Sequence, residues 1–61
     1  MRDRIFWLKF ETRSPAFEDD SVLEVARILQ HVKVRVLAQE LSGAIQDSDG
    51  KTIGQWEHVV D

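Results

Sequence analysis

The sequence has no cysteine, one proline and three glycines among its 61 residues. Without cysteine there is neither a disulfide nor a thiolate zinc site to stabilise a small core, so oligomerisation is the stabilising device that remains. Eight basic residues stand against eleven acidic ones, and the net charge of −3 argues against general binding of nucleic acid. No apolar run approaches the roughly 20 residues that cross a bilayer, and the charges spread through the first residues are not typical of a signal peptide.

What the chain does have is the composition of a folded domain. Hydrophobic residues make up 43% of the sequence and charged residues 31%, which is ordinary for a soluble protein and argues against disorder. A domain of this length buries only about 60% of the surface that its unfolded chain exposes. We therefore expect a single domain over residues 1–61, located in the cytoplasm and stabilised as a homodimer.

The first predicted element is a strand over residues 4–12, because the segment is rich in aromatic and branched residues that alternate with others. One side of this strand is wholly apolar and is expected to face the core; it carries Phe6, Leu8 and Phe10. The other side is apolar at one end and charged at the other, and it carries Ile5, Trp7, Lys9 and Glu11. Pro15 ends the segment, because proline lacks the N–H that a ladder requires.

A helix is predicted over residues 21–40. Asp20 or Ser21 is placed to cap its first turn, and Ser21 with Glu24 has the spacing of a capping box. Residues 32–38 alone alternate like a strand, and this alternative remains open. The first signal that ends the helix is Ser42-Gly43. Helical periodicity defines a stripe that is expected to face the sheet, formed by Val22, Val25, Ile28 or Leu29, Val32, Val36 and Leu37.

The last third of the chain is predicted to form a β-hairpin. Its strands cover residues 44–47 and 52–58, and Asp49-Gly50 is a favoured pair for a two-residue turn. Together the elements predict an α+β fold of β-α-β-β order, in which one long helix packs on one face of a three-stranded antiparallel sheet.

The hairpin turn also resembles the start of a calcium-binding EF-hand loop, because Asp47 and Asp49 alternate before Gly50. Such a loop needs an acidic first ligand and a glutamate at position 12. This chain has Ile45 and Trp56 at those two positions. The stretch is therefore interpreted as a turn that binds no metal.

Two stretches, PAFEDDSVLEVARIL and SGAIQDSDGKTIGQWE, belong to a pattern that runs from about Pro15 to Glu57 without gaps. The pattern resembles a family of short, mostly uncharacterised phage and prophage proteins, which have an acidic-capped helix followed by a hairpin of the form I/V-x-D-x-[ND]-G-x-x-[IV]-G-x-[WYF]. The resemblance implies that the helix continues through VKVRVL and that the protein is made inside a bacterial host cell. It implies no catalytic residue. Lys33, Val34 and Leu37 depart from the pattern, and the two apolar residues, Val34 and Leu37, enlarge the apolar surface of the helix.

By analogy with other small proteins of phage origin, such a protein is expected to be a non-enzymatic module that binds and modulates a host protein, which includes proteins of host defence. One helix covers only one face of the sheet, so at least one tryptophan is expected on the other face, where aromatic side chains are typical interface anchors. In the alternative, Trp7 and Trp56 only cover each other across the sheet. The predicted partner-binding surface consists of Ile5, Trp7, Trp56, Val34 and Leu41.

The competing class is an accessory protein that binds nucleic acid through a basic helix face formed by Arg27, His31, Lys33 and Arg35. The i,i+4 spacing places three of these residues, Arg27, His31 and Arg35, in one row on the side opposite the core stripe. A structural or assembly protein of the virion is a third possibility. Neither histidine has a nucleophile partner or the spacing of a metal ligand, so no catalytic residue, cofactor or metal is predicted.

Overall fold

The computed structural model describes residues 4–60 and confirms the α+β fold of β-α-β-β order. A short 3-10 turn separates the first strand from the helix. The segment from residue 32 to residue 37 is helical, so the strand alternative for it is wrong, and the helix ends before residue 40. The elements are β1 (Ile5–Phe10), the 3-10 turn (Pro15–Phe17), α1 (Ser21–Leu37), β2 (Ser42–Gln46) and β3 (Thr52–Val59).

The three strands form one antiparallel sheet in the order β1-β3-β2. In the β1–β3 ladder, Ile5 lies opposite Val59 and Phe10 lies opposite Gly54. Because both outer strands run antiparallel to β3, β1 and β2 run parallel to each other at the two edges. This is the connectivity of a split β-α-β unit, in which the helix crosses from one edge strand to the other.

β3 carries one extra residue, Ile53, in its ladder with β2, next to the pair Gln46–Thr52. Strict alternation predicts that Ile53 and Trp56 point to opposite faces of the sheet. A β-bulge interrupts that alternation, and both side chains are buried in one core, with exposures of 9% and 1%. The prediction that Ile53 points away from Trp56 is therefore wrong.

The core lies between α1 and one face of the sheet. Ile28 and Val32 form its helix side, and Trp56 is its largest fully buried side chain. The ring of Phe10 stacks on that of Phe17 at a centroid distance of 6.3 Å, so the 3-10 turn closes one end of the core. The other members, buried or partly buried, are Ile45, Ile53, Leu8, Ala16, Val25 and Val36.

The first turn of α1 is capped by a side chain. Oδ1 of Asp20 accepts a hydrogen bond of 3.1 Å from the N–H of Leu23, which satisfies one of the donors that a helix leaves unpaired at its start. The predicted capping box of Ser21 and Glu24 is not formed, because the Glu24 carboxylate bonds to other groups.

The helix ends in a Schellman motif. The N–H of Glu40 donates to the carbonyl of Arg35 at 3.1 Å, and the N–H of Gln39 donates to the carbonyl of Val36 at 3.0 Å. Gln39 has φ of 70°, a left-handed conformation that is usually given to glycine. The backbone bonds of this motif explain why the helix ends earlier than predicted.

Ser42-Gly43, predicted to end the helix, instead begins β2. Gly43 lies opposite Trp56 in the sheet, and a Cβ at Gly43 would lie 2.7 Å from the indole Nε1. The glycine therefore serves the packing of Trp56 against β2. The indole N–H is buried and has no acceptor among residues 4–60.

Between β2 and β3, the backbone hydrogen bond from Asp47 to Lys51 closes a turn of three residues, Ser48–Gly50, instead of the predicted two. The N–H of Gly50 donates to the carbonyl of Asp47, and the N–H of Asp47 donates to the carbonyl of Lys51, both at 2.9 Å. Gly50 has φ of 83°, the left-handed conformation expected at the end of such a loop. Oδ1 of Asp47 accepts from the N–H groups of Asp49 and Lys51 at 2.9 and 3.0 Å. The carboxylate that suggested a calcium ligand thus bonds to the backbone of its own loop.

Candidate interaction surfaces

The side of α1 that faces away from the sheet is mostly apolar. Leu23, Val34 and Leu37 expose 66%, 58% and 69% of their surface. The helical repeat places them on one face with Ala26 and Gln30, which are also exposed. These five residues are named the outer face of α1. A helix normally presents charged and polar residues to solvent, so the outer face has the composition of a contact surface.

The stripe predicted to face the sheet is only partly the side that the structure buries. Glu24 is 8% exposed and lies on the buried side of the helix with Ile28 and Val32. Val22, Leu29 and Leu37 belong to the predicted stripe but are 75%, 48% and 69% exposed. The helix is thus turned about its axis relative to the prediction, and apolar residues that the sheet would have covered lie at the surface.

Hydrogen bonds of Glu24 account for this orientation. Its Oε2 accepts from the backbone N–H of Ser48 at 2.9 Å, which ties the first turns of α1 to the β2–β3 loop. Arg27 donates to both carboxylate oxygens, from Nε at 3.1 Å and from Nη2 at 2.9 Å. A bidentate arginine–carboxylate contact of this kind is among the stronger charge-assisted hydrogen bonds. Nη2 of Arg27 also donates to the carbonyl of Gln46 at 3.4 Å.

The same contacts set the electrostatics of this end of the molecule. The hydrogen bond with Arg27 is the main reason that the pKa of Glu24 lies below its ordinary value, although burial opposes the shift. That bond also raises the pKa of Arg27. Burial is the largest single influence on Asp47 and raises its pKa, but the hydrogen bonds that the carboxylate accepts outweigh it, so the pKa of Asp47 is lowered. Both carboxylates are therefore ionised structural groups at neutral pH.

Trp7 lies on the sheet face that the helix does not cover. Its neighbour Leu8 packs against the core, and successive side chains of a strand point to opposite faces. Trp7 is half-buried and lines a shallow depression with Gln55 and Glu57. Ile5, which shares this side of β1, is 47% exposed. The prediction that one tryptophan occupies the uncovered face is confirmed by Trp7.

Trp56 does not belong to the partner-binding surface for which it was predicted. It is 1% exposed and lies beneath α1, where Phe6 stacks on it at 5.8 Å. Because Trp56 and Trp7 are on opposite faces of the sheet, the alternative in which they cover each other is also wrong. Two other predicted residues are exposed, Val34 on the outer face and Leu41, at 52%, in the link between α1 and β2.

The predicted basic face is divided by the structure. Arg27, His31 and Arg35 form one row, but the row borders the core and lines a crevice of ≈ 360 Å³ between α1 and β2, instead of lying opposite the core. Lys33 is exposed and lies outside this row. Arg27 is held by an acidic neighbour, and Arg35 donates to Oε1 of Glu40 at 3.0 Å. The four residues therefore do not form a single cationic surface.

Comparison with protein-family models, with curated proteins and with solved structures found no match. The resemblance to phage and prophage proteins therefore stays a prediction. Within residues 4–60, no three histidine, aspartate or glutamate side chains are grouped so that they could hold a metal ion. In the same part of the chain, no helix has both the length and the apolar character needed to cross a membrane. The surfaces themselves are the basis for a functional proposal.

Proposed function

We propose that this chain is a small, non-enzymatic protein-binding module that acts through the outer face of α1. The observation that supports the proposal is the exposure of Leu23, Val34 and Leu37, each by more than half, on one side of a single helix. The largest contiguous apolar patch on a soluble domain is often functional, and contact with another protein is one of its usual functions. Arg27, the first residue of the row, lies next to Val34 around the helix and provides a charged border on one side of the patch.

The partner that we propose is a protein of the bacterial cell in which the chain is made, and we place the chain in the cytoplasm of that cell. The resemblance to phage and prophage proteins supports this part of the proposal, with modulation of a host protein, including a defence protein, as the outcome. Ile5 and Trp7 on the open sheet face add a second, smaller surface with an aromatic anchor.

An affinity experiment with matched variants tests the proposal. Wild type, Val34→Asp and the control Thr12→Asp are immobilised at equal density, and proteins retained from bacterial lysates are quantified by mass spectrometry. Thr12 is exposed outside the helices and strands, so the control adds the same charge away from the outer face. We expect a protein that wild type and control retain and that Val34→Asp loses by at least tenfold. The purified partner must then bind wild type directly in calorimetry.

Two outcomes would overturn the proposal. Either no protein is retained above the level of a blank support, or the retained protein binds Val34→Asp as tightly as wild type in calorimetry. Circular dichroism of each variant shows whether the helix is intact, and Val34→Ser replaces Val34→Asp if the charged variant is unfolded.

The competing nucleic-acid function makes a different prediction. Binding through the row would fall linearly with the logarithm of salt concentration, would weaken in Arg35→Glu, and would be unchanged in Val34→Asp. Titration of labelled duplex DNA and single-stranded RNA at two salt concentrations separates the two classes. We expect no salt-dependent binding that Arg35→Glu removes; if it is observed, the row is the functional surface and the protein-binding proposal is wrong.

A further inference from the structure

The outer face of α1 is symmetric in composition about its central residue. Gln30 is the only polar member, and Leu23 and Leu37 lie seven residues before and after it. Ala26 and Val34 lie four residues before and after it. A helix that pairs with an antiparallel copy of itself across a two-fold axis brings residue 30 − n against residue 30 + n. The face is therefore complementary to itself in this arrangement, as a two-fold interface requires.

We infer that the outer face of α1 binds the same face of a second copy of this chain, antiparallel, with the two-fold axis at Gln30. This inference rests on the proposed function, because it uses the same surface, and it adds a second occupant that competes there with the host protein. Leu23 of one copy then contacts Leu37 of the other, and Ala26 contacts Val34. The two Gln30 side chains meet at the axis, where each amide has both a donor and an acceptor to offer the other.

The flanking charges are compatible with this pairing. Lys33 lies three residues from the axis, so the two Lys33 side chains are about 9 Å apart along the helices at a rise of about 1.5 Å per residue. That separation is close to the Debye length of about 8 Å at physiological salt, which screens their repulsion. Arg27 is held by Glu24 on its own chain and brings no unpaired charge to the contact.

The size of the face indicates which class of interface it can form. The five residues of the outer face together expose roughly 400 Å² per copy, about half of the ~800 Å² per partner found in standard stable complexes. Val22 and Leu29, which flank the face and are 75% and 48% exposed, add to the contact at its border. An interface of this size belongs to the class of weak, transient complexes, and we expect the dimer to be one of them.

Cysteine crosslinking tests the arrangement directly, because the chain has no cysteine of its own. Gln30→Cys should form a disulfide-linked dimer under mild oxidation, since its two copies meet at the axis within the Cα separation of about 4.4–6.8 Å that a disulfide spans. Leu23→Cys alone and Leu37→Cys alone should not crosslink, because each is about 21 Å from its own copy along the helices. An equal mixture of these two variants should crosslink.

The control is Gln55→Cys, whose position is exposed in β3 and next to Trp7 in the depression of the open sheet face. Crosslinking of Gln55→Cys in preference to Gln30→Cys would overturn the inference in favour of pairing through the sheet. Self-crosslinking of Leu23→Cys as fast as that of Gln30→Cys would overturn the antiparallel arrangement.

Sedimentation velocity over roughly 1–500 μM, a range suited to a weak, transient complex, gives the second readout. We expect a monomer–dimer equilibrium that Val34→Asp weakens at least tenfold and that Thr12→Asp leaves unchanged. Gln30→Glu should weaken the dimer at pH 7, because two carboxylates then meet at the axis. A wild-type monomer at every concentration would overturn the inference, whereas the proposed function would still be judged by the loss of a heterologous partner in Val34→Asp.

Discussion

Replacing Gln39 with glycine should stabilise the protein. Gln39 has φ of 70°, and it closes the helix through hydrogen bonds between backbone groups only, to Val36 from its own N–H and to Arg35 from the N–H of Glu40. A glycine keeps both bonds. It also removes the contact between Cβ and the backbone that makes this conformation unfavourable for other residues.

The magnitude follows from two opposing effects. A left-handed conformation costs an L-residue roughly 1–2 kcal/mol, and glycine relieves that cost. Glycine also increases the conformational freedom of the unfolded chain, which lowers the gain in the free energy of unfolding by about 0.5–1 kcal/mol. The expected net gain in the free energy of unfolding is about 1 kcal/mol, which corresponds to a rise in Tm of roughly 4–8 °C for a domain of this size.

Two control variants make the measurement specific. Gln39→Ala removes the same side chain but keeps the unfavourable Cβ, so it should unfold at the wild-type temperature or slightly below. Ala38→Gly adds a glycine where φ is −82° and should destabilise by up to about 1 kcal/mol. Thermal and urea unfolding followed by circular dichroism report all three variants. If Gln39→Gly is no more stable than Gln39→Ala, the left-handed cap is not the source of strain and the explanation is wrong.

Three further predictions concern the core and its charges. Because Glu24 and Asp47 have lowered pKa values when folded, their stabilisation is present above the pKa values of the unfolded chain and is lost as pH falls through the folded values. Urea unfolding between pH 7 and pH 2 should therefore show stability falling below about pH 5, with a flatter profile in the double variant Glu24→Gln, Asp47→Asn. Trp56→Ala should cost about 3–5 kcal/mol and Trp7→Ala much less, since only Trp56 is fully buried; in single-tryptophan variants, Trp56 should emit at shorter wavelength than Trp7. Gly54→Ala should lower the free energy of unfolding by about 2 kcal/mol or more, because its Cβ would meet backbone atoms of β1. A Gly54→Ala variant that resists urea as well as wild type does would contradict this packing.

Sequence reasoning gave the order of the elements because each has local signals. Alternation in β1, the capping aspartate Asp20 and the left-handed Gly50 lie within a few residues of what they specify. The end of the helix was harder to predict, since the residue at the left-handed position is a glutamine and no propensity rule favours it there. Ser42-Gly43 carried the stronger local signal, but its glycine is required by packing against a tryptophan.

The candidate surface was only partly predictable, because it depends on contacts between distant parts of the chain. The rotation of α1 follows from a hydrogen bond between Glu24 and Ser48, which are 24 residues apart. Hydrophobic periodicity alone cannot anticipate a buried glutamate. The position of Trp56 likewise depends on the bulge at Ile53, and one extra residue in a ladder reverses the face to which later side chains point. Val34 was predicted as a surface residue because it lies beyond the edge of the helix stripe, and Trp7 because it points away from the apolar side of the first strand.

The central position of β3, between β1 and β2, determines when the sheet can form during synthesis of the chain. A ribosome completes both edge strands and the helix before it reaches Thr52, the start of the strand that joins them. At about 5–20 residues per second, roughly two to ten seconds pass between the synthesis of β1 and that of β3, its ladder partner among residues 4–60. During that interval the nascent chain carries unpaired strand edges and an apolar helix without Trp56 to cover it. Folding therefore takes place as one late step after β3 emerges, and chaperone contact is expected to concentrate in the seconds before it.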